Sequence, residues 1–180
     1  MAMMIRTFVE IAIPNRNLLK PLLYDLRRVP EVRVSPMSQL HITLAFVGDV
    51  DDKKVKKMTD RIYSAISGFG AFDITIGDTG RFPAKGKPNI VWVGAGPSDR
   101  LKVLADAVRK GLDDAGVDYD DKPFKAHITI GRCKGPTDVD GFIDGRHGML
   151  TTFTCDSIRL MKSELSPEGA KHTVLATIPL

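Results

Sequence analysis

The sequence predicts an α+β fold built from two related halves around a central cleft. Three observations predict it. Apolar, β-branched runs alternate with runs whose leucines and isoleucines recur at helical spacing. The order strand, helix, loop, strand occurs twice. Each copy closes on a strand that reads His-Ile-Thr.

The elements follow in chain order. Ile5 to Ile13 is a mostly apolar strand. Leu18, Leu19, Leu22, Leu23 and Leu26 then share one helical face, with Pro21 confined to the start of that helix because proline is tolerated only near a first turn. Leu40 to Phe46 is a strand, and Val55, Met58, Ile62, Ala65 and Ile66 mark a second helix. Phe72 to Ile76 and Asn89 to Val93 are strands. Ser98 is a candidate cap for a third helix carrying Leu101, Leu104, Ala105, Val108 and Leu112, with Gly116 to end it. Ala126 to Ile130, Ser157 to Met161 and Thr173 to Ile178 are the remaining strands.

The duplication is regular. His41 lies 36 residues after Ile5, and His127 lies 37 after Ile90. Two copies of one supersecondary unit pack naturally about an approximate two-fold axis. No linker rich in proline, glycine or serine divides them, so residues 1–180 are expected to form one bilobal domain.

Composition limits the function. A chain of 180 residues, 43% apolar and 27% charged, can bury roughly 70% of its unfolded surface without a disulfide or a metal staple. Two cysteines make no disulfide framework, so Cys133 and Cys155 are expected as reduced thiols. No apolar run approaches the ~18 residues of a membrane span. The N-terminal stretch carries Arg6 and Glu10, unlike a signal peptide, and a cytoplasmic protein without membrane association is expected. A net charge of +4 suits an anionic ligand without demanding one.

On a strand, alternate residues share a face, so His41 and Thr43 stand about 6.6 Å apart on one side. Leu40, Ile42, Leu44 and Phe46 take the other side. In the second copy His127 and Thr129 share a face, opposite Ala126, Ile128 and Ile130. A single such strand would usually turn its polar side to solvent. Two at matched positions of a repeat favour a polar cleft. Facing imidazoles suit phosphoester chemistry, because in-line displacement puts the attacking and leaving oxygens on opposite sides of phosphorus. One histidine takes a proton while the other gives one, and an ordinary imidazole pKa of about 6.5 allows both states. Each threonine hydroxyl can donate to a non-bridging oxygen. No metal or cofactor is required.

The segments QLHITLAFVGDV (39–50), RFPAKGKPNIVWVG (81–94), FKAHITIGR (124–132) and LMKSELSPEGAKHTVLATIPL (160–180) resemble the 2H phosphoesterases. Within them the chain is most similar to the RNA 2′,3′-cyclic phosphodiesterases, also called 2′-5′ RNA ligases. The resemblance covers essentially the whole chain. It implies metal-independent hydrolysis of 2′,3′-cyclic phosphate ends of RNA or oligonucleotides to 2′-phosphates, with no obligatory protein partner. It further implies His41 as proton donor and His127 as proton acceptor. The chain departs from the family pattern at Ala45, Ala126 and His172, where a basic residue, a proline and an aromatic residue are common.

Other residues have two readings. Arg132 either clamps a phosphate or is a surface arginine at a strand end. Phe82 either stacks on a base or packs in the core. Lys85 and Lys87 read as a solvated loop, His147 and His172 as structural or surface residues, and Cys133, though it has the parity of His127, as a packing thiol. The acidic stretch 113–121 lacks calcium-loop spacing, and Gly94 and Gly96 lack the third glycine of a dinucleotide fingerprint. The alternatives to RNA-end hydrolysis are action on 2′-5′ linkages or small cyclic phosphates, and a non-catalytic module that binds RNA ends. A hydrolase with His41 and His127 as metal ligands would lack a partnering carboxylate motif.

Overall fold

The computed structural model describes residues 2–180. Among them nine strands form two antiparallel sheets. The strands are β1 (Met4–Ala12), β2 (Val32–Val34), β3 (His41–Asp51), β4 (Phe72–Phe82), β5 (Ile90–Gly96), β6 (His127–Cys133), β7 (Met149–Cys155), β8 (Ser157–Ser166) and β9 (Gly169–Pro179). The four α-helices are α1 (Lys20–Leu26), α2 (Val55–Ile66), α3 (Ser98–Asp114) and α4 (Asp140–Asp144). The expected α+β class is the observed one.

One sheet runs β3-β1-β8-β9 and the other β2-β6-β5-β4-β7. The two predicted units are visible in these orders. In each, a strand and the histidine strand that follows its helix pair antiparallel: β1 with β3, and β5 with β6. Ala12 stands opposite His41, and Gly94 opposite His127.

The core lies on the faces turned away from the histidines. Ile42, Leu44, Ile128 and Ile130 are fully or almost fully buried. Each such residue contributes about 1.5–3 kcal/mol relative to exposure. Helix α3 carries Leu101, Leu104, Val108 and Leu112 against β3 and β5, so one helix supports both units. Helix α2 packs Met58, Ile62 and Ile66 inward and lies against α3. Gly111 permits that approach, because a Cβ there would come within 2.7 Å of the Ile62 Cα.

Several boundaries differ from the sequence expectation. Ser98 is the first helical residue rather than the cap: Pro97 holds the cap position, and its carbonyl accepts the Leu101 N–H at 3.1 Å. Gly116 does follow the end of α3, with φ +69, a conformation glycine adopts without a steric penalty. Pro21 sits in the first turn of α1. Strands β3, β4 and β8 run longer than their apolar cores, because their outer halves are held by neighbouring strands rather than by burial. Strands β2 and β7 and helix α4 were not anticipated; β2 has three residues, and β7 is largely exposed.

Candidate active site

The first seven residues of β3 and β6 have the same pattern of burial. His41 and Thr43 are half-exposed around a buried Ile42, as are His127 and Thr129 around Ile128. Two consecutive buried residues then break the alternation in each strand: Leu44 and Ala45 in β3, Ile130 and Gly131 in β6. The sheet registers supply the cause. Glu10 pairs with Thr43 and Val9 with Ala45, leaving Leu44 unpaired; Trp92 pairs with Thr129 and Val91 with Gly131, leaving Ile130 unpaired. Each strand therefore has a β-bulge at the third residue after its histidine. The bulge returns the fifth residue after each histidine to the polar side. Phe46 and Arg132 are those residues.

All four residues of the two His-x-Thr pairs line one cavity of about 450 Å³, together with Phe46 and Arg132. An adjoining cavity of about 510 Å³ is lined by Phe82, Lys125 and Arg132, and Phe46 again stands at the junction. Phe82 thus lines the adjoining cavity, which Thr43 and His127 also line. Its ring edge meets His127 with centroids 5.0 Å apart, and the Lys125 Nζ lies 4.8 Å from its centre. Arg132 is exposed and reaches both cavities.

Local backbone geometry orients both imidazoles alike. A carbonyl oxygen can only accept, so the Nδ1–H of His41 donates to the Gln39 carbonyl at 2.6 Å. The Nδ1–H of His127 donates to the Lys125 carbonyl at 2.7 Å. In each case the partner is two residues upstream, and Nε2 becomes the nitrogen available for proton transfer. The Thr43 hydroxyl donates to His41 Nε2 at 2.9 Å. Phe8 stacks on the other side of His41, with centroids 5.1 Å apart.

Burial favours the neutral form of both imidazoles in the free protein. Burial pushes His41 down to about 4; the hydrogen bond to Gln39 opposes this, and His172, Arg16 and His127 add repulsion. Burial also lowers His127, aided by the charges of Lys125 and Arg132 and opposed by its hydrogen bond to the Lys125 carbonyl. An anion arriving between them would raise both.

His172 fits the structural half of its sequence reading, half-buried against neighbouring rings. It lines the same cavity as the two His-x-Thr pairs, its ring 5.7 Å from His41 and 4.9 Å from Phe8. Pairing of β9 with β8 puts it there, opposite Ser163, and no motif in the sequence announces it. Phe46 was likewise missed, because strict alternation assigns it to the core. His147 is exposed, as expected, and so are Lys85 and Lys87.

Comparison with known proteins identifies the family and the fold. The model of the 2′-5′ RNA ligase superfamily matches residues 20–166. An RNA 2′,3′-cyclic phosphodiesterase of Archaeoglobus fulgidus is 33% identical over 168 residues, covering 91% of this chain and 94% of that one. A protein of the same name from Thermotoga maritima is 31% identical over 137 residues, covering 76% of this chain and 73% of its own. Among solved structures, TT0787 of Thermus thermophilus superposes with a TM-score of 0.80 at 27% identity, covering 97% of both chains. E. coli LigT complexed with 3′-AMP shares the fold, with a TM-score of 0.80 at 22% identity over 99% of both chains.

Proposed function

The chain belongs to the 2′-5′ RNA ligase superfamily, and from that membership we propose that it hydrolyses 2′,3′-cyclic phosphate ends of RNA to 2′-phosphates. The observation that carries the reading is the pair of His-x-Thr strands, alike in register, bulge and imidazole orientation, lining one cavity. Residues 1–180 act in this reading as one bilobal unit, each half supplying one histidine and one threonine.

The proposed mechanism follows from the two nitrogens left free. Water attacks phosphorus, and neutral His127 Nε2 takes its proton. The bond from phosphorus to the 3′ oxygen breaks, and His41 gives that oxygen the proton on its Nε2. A 2′-phosphate remains. His41 must first be protonated, which its environment resists until the negative phosphate enters. Protonation also releases Thr43, whose hydroxyl no longer serves His41 Nε2 and can donate to a phosphate oxygen. Thr129 does the same from the other half. Such donors stabilise charge where it develops. Arg132 offers a guanidinium to the phosphate, and Phe46, 56% exposed at the cavity junction, offers an aromatic face to the nucleoside. Phe82 supports the His127 ring. Protons are handled by imidazoles and charge by hydroxyls, so no step calls for a metal ion.

Turnover of a 2′,3′-cyclic nucleotide by the purified protein, with product identified by chromatography, tests this. Hydrolysis to the 2′-phosphate, insensitive to EDTA, is expected. His41→Ala and His127→Ala should each lose about 10²–10⁴-fold in kcat while remaining folded by circular dichroism. A folded His127→Ala protein with near-native turnover would sink the mechanism, and a 3′-phosphate product would reject the assigned leaving group.

A further inference from the structure

A third and larger cavity, of about 630 Å³, lies where the end of β1 and the residues after it meet Met37, Ser38 and the turn between β7 and β8. The chain joins it to the catalytic cavity directly, since Met37 and Ser38 line one and Gln39 the other. Its polar lining comes chiefly from Asn15, Arg16, Asn17, Ser38, Asp156 and Arg159. Nothing in the two-histidine mechanism uses it.

The arginines there form no ion pair among the described residues. Arg81 and Arg146 each pair with an aspartate at 3.1 and 3.0 Å. Neither Arg16 nor Arg159 has a carboxylate within 4.0 Å among the described residues. Arg16 is held by one bond, from Nη1–H to the Ser38 carbonyl at 3.0 Å, while its Nε is buried with no partner. Glu10 lies behind them, only 2% exposed, with Oε2 also lacking a partner. Burial raises the pKa of Glu10, and the nearby charges of Arg159 and Arg16 draw it down. Asp156 adds one acidic group at the exposed rim.

We propose that this cavity binds a second phosphate of the substrate, the 5′-phosphate of the terminal nucleotide, through Arg16 and Arg159. The inference rests on the RNA-end reading above. Two guanidinium groups flanked by the amides of Asn15 and Asn17 and the hydroxyl of Ser38 match a tetrahedral oxyanion better than a planar or apolar ligand. With the cyclic phosphate between His41 and His127, the 5′-phosphate of the same nucleotide is the nearest further anion on the chain. The site would make the protein prefer oligonucleotide ends over unphosphorylated cyclic mononucleotides.

Equilibrium binding tests this without requiring turnover. Calorimetry compares adenosine 2′-monophosphate with adenosine 2′,5′-bisphosphate at low salt. Wild-type protein is expected to bind the bisphosphate at least ~10-fold more tightly, the scale of one charge-assisted contact. In Arg159→Gln that ratio should fall toward one, whereas Arg159→Lys should keep part of it. Equal affinities in the wild type overturn the proposal, as does an undiminished ratio in folded Arg159→Gln and Arg16→Gln proteins. Failure of the parent reading looks different: wild-type protein would leave the cyclic nucleotide unhydrolysed whatever the bisphosphate does.

Discussion

At the scale of single residues, the proposed mechanism makes activity depend on the state of two imidazoles. Acid and base must be in opposite protonation states, so the productive fraction peaks between their two apparent pKa values. Burial holds both below the ordinary value, His41 at about 4. The kcat/KM profile for a cyclic nucleotide should therefore peak below pH 6.5 and decline toward alkaline pH. In the complex the phosphate anion favours the protonated imidazole, so the optimum for kcat should lie at higher pH than that for kcat/KM. Steady-state kinetics from pH 4.5 to 8.5 would show the order, and coincident optima above pH 7 would contradict it. His172 belongs to this cluster too. Burial and Arg16 lower its affinity for protons, and its ring meets those of both His41 and Phe8.

The elements decide which side chains reach the cleft. One extra residue in each histidine strand, Leu44 or Ile130, changes the parity beyond it. Alternation read from the sequence puts Cys133 on the side of His127; the bulge puts Arg132 there and leaves Cys133 half-buried at the strand end. The same shift moves Phe46 from the core to the cavity. Below the strands, α2 and α3 meet at Gly111, and here a small change is costly. The Cβ of Gly111→Ala would press on the Ile62 backbone, which cannot move without displacing α2. Overpacking of this kind costs about 1–3 kcal/mol. Urea unfolding should show a loss of that size, partly offset because alanine favours helix over glycine by up to about 1 kcal/mol. A variant as stable as wild type would mean that the helices separate freely.

For the whole molecule, keeping histidines neutral in the interior has a consequence for stability. Between pH 6.5 and about 4 the unfolded chain has bound a proton at His41 and the native protein has not. Stability therefore rises with pH across that window and is lost as pH falls from 6.5 toward 4. His41 alone could supply roughly 3 kcal/mol as an upper figure, and His127 and His172 act in the same direction. Glu10 opposes them, because its raised native pKa makes protonation stabilise the folded form. Urea midpoints at pH 4.5 and 7 should differ in favour of pH 7, and His41→Gln should narrow the gap. A gap unchanged by that substitution would place the titration elsewhere. No helix among the described residues is long and apolar enough to cross a membrane.

The sequence by itself determined the α+β class, the repeated unit and the two His-x-Thr pairs. These depend on local rules: two-residue alternation on strands, helical spacing, and a motif recurring at a matched offset in both units. Tertiary structure alone decided the rest. Strand β2 exists because β6 offers it an edge, and His172 enters the cleft because β9 pairs with β8 in a register that no local pattern specifies. Arg132 and Phe46 reach the cavity through bulges that only the neighbouring strands β5 and β1 define. Arg16 and Arg159, 143 residues apart in the chain, line one cavity only after the sheet has formed. Periodicity specifies which face of an element a residue occupies; which other residues share its surroundings depends on pairings between segments distant in sequence.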